Sequence, residues 1–184
     1  MDIKLLSKKL LDDQEYAELI NAIKLIENNE FQKLYNNYTN LLKELVCVQS
    51  YEDFMDFIGE ETININIFIL CFLTQKNKCI ELGGYESDIN KKIKQFICEK
   101  SNNNELLDRI KSLDEDVYTD YDGEDNFCKY VSELNDILKQ YDLKIVVFFN
   151  DEYWACIYNL FLLDVLVGNI VINEWQDDDI EIII

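Results

Sequence analysis

One stretch constrains the fold of this chain more than any other: Leu143-Lys-Ile-Val-Val-Phe-Phe-Asn150-Asp151-Glu-Tyr-Trp-Ala-Cys-Ile-Tyr158. It consists of two apolar runs around a polar pair. Its Val, Ile, Phe, Tyr and Trp residues suit a pleated, packed surface. An Asn150-Asp151 break between such runs predicts an antiparallel hairpin, although no glycine fixes its turn type. Ile145, Val147 and Phe149 alternate with Val146 and Phe148, so both faces of the first run are apolar. A strand of that kind belongs inside a sheet covered on both sides.

Charge limits what such a sheet can serve. The 184 residues carry 37 acidic and 17 basic side chains, a formal net charge of −20, and Arg109 is the lone arginine. So acidic a surface repels phosphate backbones and has few groups with which to neutralise them. The expectation is therefore no nucleic acid and no anionic membrane, and a basic protein partner instead. None of the six cysteines forms a C-x-x-C pair, and Cys47, Cys71, Cys98 and Cys156 lie inside apolar runs. Buried free thiols in a reducing compartment, and hence a cytoplasmic protein, fit that pattern. Met1-Asp-Ile-Lys4 lacks a signal-peptide pattern, and Asp164 interrupts the apolar run Phe161–Val167, which is too short to span a bilayer.

Along the chain, residues 2–27 predict a helix divided near Asp12-Asp13. Phe31, Leu34, Tyr35, Tyr38, Leu41, Leu42 and Leu45 fall on one face of a second helix. Together they form an N-terminal helical pair. Ser50 and Asp53 stand at capping-box spacing ahead of a short helix, Tyr51–Ile58. The alternation of Ile63, Ile65, Ile67 and Ile69 predicts a strand within Ile63–Thr74. A short strand, Cys79–Leu82, follows and breaks at Gly83-Gly84. Helices are then expected from a Ser87 cap through Ile97, from the Asn102–Asn104 run through Leu113, and over 124–140. Leu160–Val167 suits a short helix ended by Gly168, with a strand nearly as good. Ile170–Ile172 and the terminal Ile180–Ile184 predict strands. The sum is an α+β fold: a mixed or antiparallel sheet built around the 143–158 hairpin, covered by helices. One domain is expected over 1–184, with a soft division into a helical part, 1–58, and an α/β part, 59–184.

The segment from about Ile67 to Gly168, a little over half the chain, resembles a small uncharacterised bacterial α/β domain family. The resemblance rests on a helix, Phe127–Gln140, an apolar strand, Leu143–Phe149, the turn Asn150-Asp151, a strand opening on Tyr153-Trp154, and Leu160–Val167. It implies an α+β fold and no particular activity.

Candidate sites follow from residue chemistry. Asp114, Asp116, Asp120, Asp122 and Asp125 form an acidic loop able to offer hard oxygen ligands, but with Gly123 as sixth residue an EF-hand would need Tyr118 first. No metal site is assigned there. Without histidine, a Ser or Cys nucleophile has no imidazole base. Walker and dinucleotide motifs are missing too. No catalytic residue and no cofactor are assigned. Carboxylate pairs are too numerous to inform. Tyr118 and Tyr121 sit inside the acidic loop, where aromatics in a charged rim suit partner binding, or else fold back over the core. Trp175 lies amid Glu174 and Asp177–Asp179 and has the same two readings. The Ile-rich end either completes the sheet or adds to a partner.

These observations predict a non-enzymatic, acidic protein-binding protein, in its concrete form an inhibitor or immunity-type protein covering a basic protein surface. Tyr118, Asp120, Tyr121, Asp122, Glu124 and Trp175 are its candidate contacts, on a monomer or small homo-oligomer. One alternative is a carboxylate-dependent divalent-metal hydrolase. Another is a mainly helical, host-directed interaction protein, in which Ile63–Ile69 is helical.

Overall fold

The computed structural model describes residues 3–83, 88–113, 124–150, 157–175 and 180–183. The chain divides into two compact units, Asp2–Lys78 and Cys79–Ile184.

The first unit is helical. It contains α1 (Ile3–Leu10), α2 (Asp13–Glu27), α3 (Phe31–Leu45), α4 (Tyr51–Glu60) and α5 (Ile65–Gln75). Asp12 separates α1 from α2 and caps the latter: its carboxylate accepts from the Glu15 amide at 2.8 Å, and Glu15 accepts from the Asp12 amide. Ser50 and Asp53 cap α4 in the same reciprocal way. Each pair satisfies amides that the first helical turn leaves without intrahelical partners. The expected pairing of α2 with α3 is present. The strand expected within Ile63–Thr74 is α5 instead. Asn64 starts it by accepting from the Asn66 and Ile67 amides. Ile67, Phe68, Ile69, Leu70, Phe72 and Leu73 are all buried, because α1, α2 and α3 pack around this helix. A helix buried on most sides has no polar face, so the chance Ile/Asn alternation at its start dominated the pattern. Packing of α5 with these helices also carries the unit boundary past Gly59 to Lys78.

The second unit is α+β. In chain order it has β1 (Ile80–Gly83), α6 (Ile89–Lys100), α7 (Asn104–Lys111), α8 (Glu124–Leu138), a 3-10 turn at Lys139–Tyr141, β2 (Leu143–Asn150), β3 (Ile157–Asp164), α9 (Val165–Glu174) and β4 (Ile180–Ile183). The sheet order is β1-β3-β2-β4, antiparallel throughout. Asp142 ends the 3-10 turn in the left-handed region, φ 57°, and so redirects the chain into β2. Asn150, expected in the hairpin turn, lies in β2 instead and pairs with Ile157; Asp151, Tyr153, Trp154 and Cys156 lie outside the described residues. β3 continues to Asp164, so the helix expected over Leu160–Val167 is mostly strand. Gly168 and Ile170–Ile172 are interior to α9, neither a helix end nor a strand. The terminal isoleucines complete the sheet, with Val147 opposite Ile183 and Asn150 opposite Ile180.

Register assigns the two faces. Ile145, Val147, Leu160, Tyr158 and Leu82 share one face with Tyr130, Val131, Leu134 and Leu138 of α8 and with inward residues of α6 and α7. Val146, Phe148 and Phe161 occupy the other, where α9 packs and Gly168 approaches Lys144 and Val146. Apolar residues at consecutive positions of β2 are thus buried on both sides, as the sequence requires. The cysteine expectation needs one correction. Cys79 is buried and Cys71, Cys98 and Cys128 are half-buried, but Cys47 is exposed at φ 53°, because it lies in the link after α3 rather than inside an element.

Candidate functional site

Of the candidate contacts, Tyr118, Asp120, Tyr121 and Asp122 lie outside the described residues. Glu124 is the first residue of α8. Trp175 terminates α9 with extended backbone, φ −70° and ψ 130°. Its indole N–H donates to the Ile180 carbonyl at 3.2 Å, and its ring stands edge-on to Phe148 at 4.7 Å. Phe148 in turn meets Phe161 at 5.4 Å. Trp175 therefore ties the end of α9 to β4 and stays half-buried.

Asn135 of α8 reveals how the backbone of this sheet edge is directed. Its side-chain amide accepts from the Ile145 N–H at 2.7 Å and donates to the Ile145 carbonyl at 3.1 Å. That is the bonding a neighbouring strand would give. Among the described residues β4 pairs with Val147–Asn150, and Asn135 bonds Ile145, two residues beyond that ladder. Both polar groups of Ile145 thus point away from β3. Backbone direction alternates along a strand, so Val147 and Phe149 face β4, and Ile183 and Glu181 face back. Ile180 and Ile182 then direct their N–H and C=O to the outer edge, which is where the Trp175 indole meets Ile180. Nothing in the sequence of α8 distinguished Asn135 from its other polar residues.

Beside Asn135 lies an open cavity of about 280 Å3 whose polar lining is Ser132, Asn135, Asp136, Lys139, Lys144 and Asn169. Its two lysines and single carboxylate give the lining a formal charge of +1. Among the described residues, no group of three or more His, Cys, Asp or Glu side chains is placed to hold a metal. Shifted titrations in the first unit have structural causes. Burial raises the Tyr38 phenol, whose O–H donates to the Glu18 carbonyl. Bonding to Glu18 raises the Lys76 ammonium, and the Ser50 hydroxyl, then the Gln49 and Ser50 amides, hold Asp53 below the usual carboxylate range.

Charge is distributed unevenly. Cys79–Ile184 carries 24 acidic and 9 basic residues, against 13 and 8 in the preceding part. Nine cations cannot neutralise 24 carboxylates however they pair. No helix among the described residues is long and apolar enough to cross a membrane. No protein-family model matches the chain, and no curated protein or solved structure shows significant similarity to it.

Proposed function

We propose that this chain is a non-enzymatic protein that binds a basic surface of another protein, in its concrete form an inhibitor or immunity-type protein. The observation that carries the reading is the excess of 15 carboxylates in Cys79–Ile184. Crowded like charge opposes the compact state, and a partner's Lys and Arg relieve that repulsion on docking. Complementary charge speeds encounter and selects against acidic competitors, while aromatic anchors slow dissociation. Tyr118 and Tyr121 are the proposed anchors, Asp120, Asp122 and Glu124 the charged rim, and Trp175 the contact beside β4.

Affinity capture from the native cell at low and moderate salt tests this. A single basic protein retained at both salts, and lost with Tyr118→Ala plus Tyr121→Ala, is the expected result. Trp175→Phe is the matched change at the third aromatic, since it keeps the packing on Phe148. Capture of only a salt-sensitive mixture of basic proteins, unaffected by these substitutions, would overturn the reading.

A further inference from the structure

The outer edge of β4 is the surface whose chemistry points furthest. Ile182 directs its N–H and C=O outward, and among the described residues no strand pairs with that edge. Trp175 occupies the first outward carbonyl, that of Ile180, and Ile182 and Ile183 remain half-exposed. An unpaired edge of this kind is a template for an added strand. Its surroundings select what can be added. From Ile145 to Ile184 there are eight acidic residues and no basic one, and both Glu181 of β4 and Glu174, next to Trp175 in the chain, are exposed.

We infer that the outer edge of β4 binds an extended, Lys- or Arg-rich segment of a partner protein by strand addition, with Ile182 supplying the central backbone bonds and Trp175 closing one end. This deepens the proposed function and rests on it, because it names the surface and the conformation of the basic partner. A second copy of the chain is a poor occupant: pairing β4 with β4 brings together two chains of net charge −20 and their exposed Glu181 side chains. The opposite edge of the sheet, β1, is less suited to a basic segment, since α6 packs beside it carrying Lys91 and Lys92.

A synthetic peptide of alternating Lys and Val, titrated into the full chain at low salt, provides the probe. Amide hydrogen exchange at Ile182 is followed alongside affinity. Binding is expected to slow that exchange, an alternating Glu–Val peptide is expected not to bind, and a fully N-methylated Lys–Val peptide is expected to bind roughly two- to tenfold more weakly, because methylation removes the amide that donates to the Ile182 carbonyl while the peptide carbonyl that accepts from the Ile182 N–H remains. Ile182→Pro is the matching variant. The N–H it removes faces away from β2, so the internal ladder survives and the thermal midpoint should hold. If that variant unfolds, the N-methylated peptide on the unaltered chain still decides. Equal binding of the methylated peptide, or unchanged exchange at Ile182, would overturn strand addition while leaving the acidic-surface reading intact. Self-association through β4, or no binding of the Lys–Val peptide, would overturn the edge assignment as well. In those cases cellular capture of a basic partner separates failure of the edge from failure of the function.

Discussion

Replacing Asn135 with alanine should cost this protein more than its half-exposed position on α8 suggests. The amide makes two bonds to one residue, at 2.7 and 3.1 Å, and that residue, Ile145, has a fully buried side chain in the second unit's core. Each bond contributes roughly 1 kcal/mol net, and a backbone group left unpaired adds roughly 1–3 kcal/mol. Solvent entering through the adjoining cavity offsets part of the second term. The expected loss is then roughly 2–3 kcal/mol, a large part of the roughly 5–15 kcal/mol that holds a typical domain folded. With a urea dependence of roughly 2 kcal/mol per molar, the midpoint should fall by roughly 1–1.5 M.

Two readouts are needed, because the chain has two units and its unfolding need not be a single transition. Urea titration gives the magnitude, and amide exchange at Ile145 gives the location. Asn135→Leu keeps most of the side-chain volume while deleting both bonds, so it should lose as much as Asn135→Ala if hydrogen bonding is the cause. Should Asn135→Ala leave the midpoint within roughly 0.2 M of the parent, with Ile145 exchange unchanged, water from the cavity would be an equal partner for that edge. The role assigned to Asn135 would then be wrong.

Three further outcomes follow from the same geometry. Gly168→Ala should stabilise by roughly 0.5–1 kcal/mol in calorimetry, since it restores helix propensity inside α9 and its Cβ would meet Lys144 and Val146 at 3.4–3.5 Å, whereas Gly168→Leu should overpack that contact and destabilise. Asp53 has a depressed carboxyl in the folded state, so its capping contribution is complete above the unfolded value, about pH 4, and fades as pH falls through the lower folded value; the stability gap between the parent and Asp53→Asn should close in that acid window, and a gap independent of pH would refute the cap's charge dependence. Cys47, exposed in the link after α3, should be the first described thiol to react with a disulfide reagent under native conditions, read by mass spectrometry of the labelled peptides.

How legible the fold was in the sequence depended on what each element is buried against. β2 announced itself because β-branched and aromatic residues filled both faces, and α3 because its apolar residues kept helical spacing. The capping pair Ser50 and Asp53 gave the start of α4. α5 failed for a physical reason: a helix surrounded by other helices has no polar stripe, so only the Asn64 cap marked its start. α9 failed similarly. Its Val-Leu-Val-Gly-Asn-Ile-Val-Ile run has weak helical periodicity, and Gly168 resembled a stop when in fact it lies inside the helix, on the face that packs against β2. At the candidate site, the terminal isoleucines were visible as a strand. The direction of its backbone was not, because it follows from the pairing register with β2, which the Asn135 bonds to Ile145 reveal.

Charge and edge explain one another. An Ile-rich edge strand invites self-pairing, and proteins commonly guard against it with charges on or beside the edge. Here the guard is of one sign. Glu181 stands exposed on β4, Glu174 precedes it, and no basic residue occurs between Ile145 and Ile184. A guard of mixed sign would repel every extended segment about equally. A wholly acidic one repels copies of itself and acidic chains, yet lowers the cost of approach for a cationic strand. Adding positive charge at the edge, as in Glu181→Lys, should therefore have two linked effects: weaker binding of the Lys–Val peptide and a greater tendency of the chain to self-associate. Sedimentation velocity and peptide titration on the same sample read both. If peptide affinity falls while self-association stays at the parent level, the acidic residues select the partner without guarding the edge, and the link between the two roles is refuted.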